Sequence, residues 1–270
     1  KGVIINSAYK RYQGRMSIDQ TISKKLKAGA TVALGKMIKS GSPIASGETS
    51  SATSYVMYKT WGFRPVTSSD AIDLESALVD PESSGLNLMI NPIINAKEEM
   101  INNDYVDINA NSYLSYDMAK GLTLKVTAGI NRRKNEYTYF YKSRTSRGTP
   151  LNPSNFRGVY GGVVNRWFST LLNENTLTYN KRFNKDHVLN AVGGFSLQGS
   201  NNRSYGFEAD HILVEELTLN ALASGTPYQN TSLEGISRLS SFFGRVNYNF
   251  KSKYLFTSTM RADGSSKFPP

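Results

Sequence analysis

Residues 242–263 read FFGRVNYNFKSKYLFTSTMRAD, and this stretch decides the fold class of the chain. Before residue 251 the apolar side chains of Val246 and Tyr248 alternate with the polar side chains of Arg245 and Asn247. The alternation resumes at residue 254, after a three-residue polar interruption at residues 251–253. Alternation with period two is typical of β-strands, and a short polar break between two such runs indicates a hairpin.

Three more hairpins are predicted by the same pattern, so the chain contains about eight strands. The short connections are residues 23–25, 119–121, 184–186 and 251–253. Long polar connections lie between the hairpins, at roughly residues 39–100, 142–164 and 201–235. If successive strands alternate in direction, every short turn falls at one end of the sheet and every long loop at the other.

The composition excludes several classes of protein. The chain has 270 residues, no cysteine, a hydrophobic content of 39% and an aromatic content of 11%. Disordered chains are poor in aromatic residues, and a transmembrane helix needs about 20 consecutive apolar residues, which occur nowhere here. The absence of cysteine rules out a disulfide framework and a thiolate zinc site.

Two all-β architectures remain, a soluble sandwich and a transmembrane barrel. Barrel strands need about 9–11 residues to cross a membrane, with short turns on one side and long loops on the other. Both features favour an all-β, antiparallel, up-and-down transmembrane barrel with long extracellular loops. The side chains predicted to face lipid are Leu122, Leu124, Val126, Val246 and Tyr248. Those predicted to face the lumen are Lys125, Arg245, Asn247 and Thr257.

Residues 238–268 also resemble the barrel of SusC/RagA-type TonB-linked (TonB-dependent) outer-membrane receptors, and residues 244–268 are the most specific part. Residues 9–12, 26–29, 120–125 and 172–179 support the resemblance in the same chain order. Receptors of this class have about 22 strands around a plugged lumen. The resemblance therefore implies that residues 1–270 are a fragment of such a barrel, with the plug domain and the C-terminal strands absent.

The resemblance further implies a function, partners and a location. It implies import of an oligosaccharide or peptide across the outer membrane of a Gram-negative bacterium, with no enzymatic activity and no cofactor. The implied partners are a SusD-like surface lipoprotein, outer-membrane lipid, and the TonB complex, which is contacted through the missing plug region. The alternative function is a secreted all-β glycan-binding module or glycan-active enzyme domain.

Aromatic residues near the loop end of the barrel are the candidate substrate-binding groups, because aromatic rings stack on sugars and on peptide side chains. They are Trp61, Tyr139, Tyr160 and Trp167. The alternative interpretation is an outer aromatic girdle with packing inside the loops.

The longest loop, residues 39–100, is the preferred docking surface for the lipoprotein. Residues 48–63 predict a short helix inserted in this loop. The alternative is that this loop folds inward and narrows the lumen.

The remaining polar motifs indicate structure rather than chemistry. Arg261 and Asp263 share the polar side of one strand before Gly264, and we expect a mutually satisfied lumen pair at the strand exit. His187 and His211 are the only histidines, and neither has a second histidine at metal-binding spacing, so no metal site is predicted. The formal charge of +11 is dispersed along the chain, which favours membrane-flanking turns over nucleic-acid binding.

Overall fold

The computed structural model describes residues 4–42, 56–64, 77–80, 83–84 and 88–268. Within these residues, eight strands form one antiparallel sheet whose spatial order is the chain order. The strands are β1 (Ala8–Thr21), β2 (Leu26–Ser40), β3 (Glu99–Ala119), β4 (Leu122–Tyr141), β5 (Tyr160–Arg182), β6 (His187–Asp210), β7 (Thr226–Phe250) and β8 (Tyr254–Ser265). This confirms the predicted all-β, up-and-down arrangement, with short turns at one end and long connections at the other.

Strands β3 to β7 are 20–25 residues long, about twice the length that a membrane crossing needs. The predicted long connections at residues 142–164 and 201–235 were therefore too long. Strand pairing continues up to the pairs Tyr141 with Tyr160 and Asp210 with Thr226. The sequence stops alternating clearly there, but backbone hydrogen bonds do not depend on apolar side chains.

The strand register gives the sheet one apolar face and one polar face. Val126 on β4 lies between Leu114 on β3 and Asn175 on β5, and the same line continues to Phe195 and Phe242. All five side chains predicted to face lipid share this apolar face, and the four predicted to face the lumen share the polar face. Further large side chains of the apolar face are exposed: Met16, Ile18, Val32, Leu34, Leu171, Leu177 and Met260.

Within the described residues, helical structure is confined to the connections at the long-loop end. Helix α1 (Val56–Gly62) falls inside the predicted helix of residues 48–63, of which residues 48–55 lie outside the described part. Helix α2 (Pro92–Glu98) was not predicted, although Asn91 is a good N-cap and Pro92 suits the first turn. A 3-10 segment (Glu215–Ser224), broken at Thr218, was not predicted either. No helix in the described residues is long and apolar enough to cross a membrane.

On the polar face, a glycine in β2 allows a side chain of β1 to contact a side chain of β3. Gly29 on β2 lies directly between Asp19 and Tyr113, and the Tyr113 hydroxyl donates a hydrogen bond of 2.7 Å to Asp19 Oδ1 across it. A Cβ atom at Gly29 would overlap both Asp19 Oδ1 and the Tyr113 ring. The absence of a side chain at this position therefore lets two strands that are not neighbours bond to each other.

Gly29→Ala should destabilise the protein by about 1–3 kcal/mol, because the added methyl group overpacks the Asp19–Tyr113 contact. The measurement is the free energy of unfolding in urea after reconstitution into lipid vesicles. Gly35→Ala is the matched control, since it lies on the same face of β2 and its Cβ would come no closer than 3.8 Å to Asp107. Equal stabilities for the two variants would contradict the role assigned to Gly29.

Candidate functional site

A tyrosine cluster covers the polar face at the long-loop end of β4 and β5. Tyr137, Tyr139 and Tyr141 alternate along β4, with ring centroids 5.5 and 5.6 Å apart in succession. Tyr160 on β5 pairs with Tyr141, and their ring centroids are 4.8 Å apart. Tyr139, Tyr141 and Tyr160 are buried, so most of this aromatic surface is used for packing.

Arg157, in the connection between β4 and β5, holds this end of the sheet together. Its guanidinium lies between the rings of Tyr160 and Tyr228, at 4.0 and 3.9 Å from their centroids. The same group pairs with Asp210 Oδ1 at 2.7 Å and with Glu208 Oε2 at 3.2 Å. Arg157 therefore ties its own loop to β5, β6 and β7 through two cation–π contacts and two ion pairs.

The partners of Arg157 stabilise its positive charge. Burial by itself would lower the pKa of this guanidinium, but the hydrogen bond and the charge of Asp210 raise the pKa above its ordinary value. The group is therefore cationic at every pH at which the fold persists.

Helix α1 contacts the polar face through a buried ion pair in which the Lys59 ammonium makes no hydrogen bond within the described residues. The Lys59 side chain is 4% exposed, and its Nζ lies 3.9 Å from Oε2 of Glu99, the first residue of β3. Glu99 Oε2 also accepts hydrogen bonds from Asn95 Nδ2 at 2.7 Å and from Ser42 Oγ at 2.8 Å. Burial lowers the pKa of Lys59, and the charge of Glu99 opposes that shift. Because Glu99 shares its face with Tyr141, α1 sits on the polar side of the wall.

The four aromatic candidates do not form one site, although Tyr139 and Tyr160 contact each other. Trp61 on α1 is 77% exposed, whereas Tyr139 and Tyr160 are each 8% exposed inside the tyrosine cluster. Trp167 shares the apolar face with Leu171, and its ring contacts Tyr205 at a centroid distance of 5.7 Å. These positions favour the packing and girdle interpretations for Tyr139, Tyr160 and Trp167, and Trp61 is the most exposed ring of the four.

Arg261 and Asp263 are adjacent on the polar face of β8. Arg261 Nε donates to Asp263 Oδ1 at 2.8 Å, and Arg261 Nη2 donates to Ser241 Oγ at 3.0 Å. The strand does not end before Gly264, because Gly264 still pairs with Ser240 and β8 continues to Ser265. The contact therefore links β8 to β7 within the sheet.

The polar face also carries a basic trough that was not identified from the sequence. Arg11, Gln13 and Arg15 alternate along β1 beside a floor that includes Gly35, and Arg133 lines the opposite side. Asp107 pairs with Arg133 at 2.5 Å, and the trough has a volume of about 560 Å³. The alternating cations were visible in the sequence, but their position opposite Arg133 depends on the register of three strands. Among the described residues, no group of three His, Asp or Glu side chains is arranged to hold a metal ion.

Arg157→Gln should destabilise the long-loop end by roughly 3 kcal/mol, because Asp210 and Glu208 lose their cation. The measurement is the rate of limited proteolysis within residues 142–159 and 211–225. Arg144→Gln is the control, since Arg144 is half exposed and 4.0 Å from Glu98, a pair worth at most about 1 kcal/mol. Cleavage that is equally slow in both variants would contradict the role of Arg157.

The chain resembles known receptors over almost its whole length. It is 30% identical over 273 residues to TonB-dependent receptor P3 of Formosa agariphila. This match covers 99% of this chain and 26% of that protein. TonB-dependent receptor P39 of the same species is 32% identical over 192 residues, covering 66% of this chain and 17% of that protein. The chain thus spans about a quarter or less of the length of these curated relatives. No protein-family model matches it.

Solved structures show the same fold. The RagAB peptide importer in its open-open state superposes with a TM-score of 0.71 at 21% identity, covering 97% of this chain and 28% of that chain. The closed-closed state gives a TM-score of 0.70 at 20% identity over 97% of this chain and 28% of that chain. The chain therefore belongs to the TonB-dependent receptors of the SusC/RagA type, and its eight strands are part of their transmembrane β-barrel.

Proposed function

We propose that the receptor containing this chain imports a nutrient across the outer membrane with energy supplied through TonB. The observation that carries the proposal is the two-faced wall, with an apolar face across eight strands and a polar face opposite it. The apolar face suits contact with lipid, and the polar face suits a hydrated lumen. The chain spans about a quarter of relatives that are named TonB-dependent receptors, so the activity of the whole protein is part of the proposal.

The same face argues against the secreted binding module or glycan-active enzyme. Tyr254, Phe256 and Met260 on β8, together with Met16 and Ile18 on β1, are more than half exposed. A soluble protein rarely leaves such a broad apolar surface in water, whereas a membrane barrel requires it. The named relatives are receptors rather than enzymes, which agrees with transport.

The substrate class that we propose is an oligosaccharide or a peptide. The solved structures that share the fold are those of a peptide importer, which supports the peptide class, and the oligosaccharide class rests on the resemblance to SusC-type receptors. Trp61 offers an exposed ring on a helix that is anchored to the polar face through Lys59. An aromatic face of this kind stacks on sugar rings and on peptide side chains alike.

The partners that we propose are a SusD-like surface lipoprotein at the long-loop end and the TonB complex on the opposite side, reached through a plug outside this chain. The long-loop end carries the exposed side chains of Trp61, Phe156, Leu213 and Leu217, which suit a protein contact. The Lys59–Glu99 ion pair seats α1 on the polar face, which supports an inward position for this part of the 39–100 loop. Docking of the lipoprotein on the rest of that loop remains our proposal.

The full-length receptor should fractionate with outer membranes, show a heat-dependent shift in gel mobility, and co-purify with a surface lipoprotein. Uptake of its nutrient should stop when TonB is deleted, because closed, plugged barrels do not pass large solutes by diffusion. A freely soluble, monomeric parent protein would overturn the transporter proposal.

Trp61→Ala should weaken substrate binding up to about tenfold, because an aromatic contact contributes about 0.5–1.5 kcal/mol. The measurement is the substrate Kd of the full-length receptor by calorimetry, together with uptake in cells. Trp167→Ala is the matched control, since it removes the same ring from the apolar face. A loss of affinity in the Trp167 variant alone would contradict the proposal that Trp61 contacts the substrate.

A further inference from the structure

The apolar face ends in a group of cations on β2 and β4. Lys36 is the eleventh residue of β2, Arg132 is the eleventh residue of β4, and Lys134 follows two residues later. Both strands start at short turns, and a transmembrane strand needs about 9–11 residues to cross. The three cations therefore lie at the far boundary of the membrane, on the side of the long loops.

The register brings these cations around two apolar residues of β3. Lys36 and Lys134 both pair with Val106, one from each side, while Leu34 and Arg132 both pair with Ile108. Neighbouring strands are about 4.8 Å apart, so the backbones of Lys36 and Lys134 are about 10 Å apart. Long, flexible side chains at that separation can converge on one anionic group.

The charges of this group are only partly neutralised by the protein. Lys134 Nζ pairs with Glu136 Oε2 at 3.1 Å. In the described part of the chain, neither Lys36 nor Arg132 has an ion pair or a side-chain hydrogen bond. Directly below them, on the membrane side, the side chains of Leu34 and Ile108 are exposed.

We propose that Lys36, Arg132 and Lys134 form a binding site for a phosphate-bearing lipid of the outer leaflet. The lipid phosphate sits among the three cations, and the acyl chains lie along Leu34, Ile108 and the apolar residues nearer the short turns. The argument for this occupant is complementarity in both charge and polarity. A cationic group directly above an exposed apolar surface matches an anionic head group joined to hydrocarbon, and it lies at the depth where head groups are found.

The opposite face provides a matched reference. Arg11 and Arg15 lie on β1 at nearly the same level, because they pair with Met37 and Ala33 on either side of Lys36 along β2. They belong to the polar face, where water rather than lipid surrounds them. If these charges bind lipid, removing them from Lys36 and Arg132 should therefore weaken lipid binding, whereas removing the charges of Arg11 and Arg15 should not.

The experiment compares two double variants of the full-length receptor, Lys36→Gln with Arg132→Gln and Arg11→Gln with Arg15→Gln. Binding of lipid A, a phosphorylated lipid, is measured by native mass spectrometry and by titration in detergent, with dephosphorylated lipid A and phosphatidylcholine as references. We expect about thirty-fold weaker lipid A binding in the first variant, from roughly 1 kcal/mol per basic residue, and no change in the second.

Three outcomes would overturn the proposal: equal loss in both double variants, equal affinity of the unaltered receptor for lipid A and its dephosphorylated form, or loss of a co-purifying protein with lipid binding unchanged. Lys36→Arg with Arg132→Lys keeps both charges and should retain lipid A binding. This variant keeps the test decisive if the glutamine variant fails to fold, which the heat-dependent gel shift reports. Weak binding in the charge-retaining variant, with a normal gel shift, would also overturn the proposal.

Discussion

The strand register is the constraint on which every other feature of this structure depends. A slip of one residue in any strand would move all of its side chains to the opposite face and place charges in lipid. The contact of Tyr113 with Asp19 across Gly29 resists such a slip, because it forms only when three strands are aligned at one position. Farther along, Asp107 meets Arg133 on the adjacent strand and pins β3 to β4 in the same way.

The two ends of the sheet are stabilised by different forces. Near the short turns, lipid supplies the apolar environment and the strands need only alternate correctly. The long-loop end extends beyond the length of a membrane crossing, and there the protein covers both faces itself. Phe140 packs with Ala209 and Leu222 on the apolar face, while Tyr139, Tyr141 and Tyr160 pack on the polar face. This double covering explains why the strands continue as ordered structure well beyond the length of a membrane crossing.

The sequence was sufficient for the features that depend on neighbouring residues. Hairpins and faces follow from period two, and Trp167 could have been assigned to the apolar face by counting four residues back from Leu171. The contacts of Arg157 with Asp210 and of Lys59 with Glu99 join residues 53 and 40 positions apart, and no local pattern in the sequence indicates which residues pair. Helix α2 lies between these two cases. Asn91 and Pro92 are a local signal for the start of a helix, but the seven residues of the helix are too few to show a helical period.

The positive charge of the chain has different consequences on the two faces. On the polar face, Arg133 and Arg261 have carboxylate partners, and Arg11 and Arg15 are exposed to water in the trough. Water screens such charges, so a cation there needs no fixed partner. At the membrane boundary of the apolar face, the medium beside Lys36 and Arg132 is less polar, and an unneutralised charge is costlier. The same residue type is therefore satisfied by solvent on one face and requires an anion from the membrane on the other.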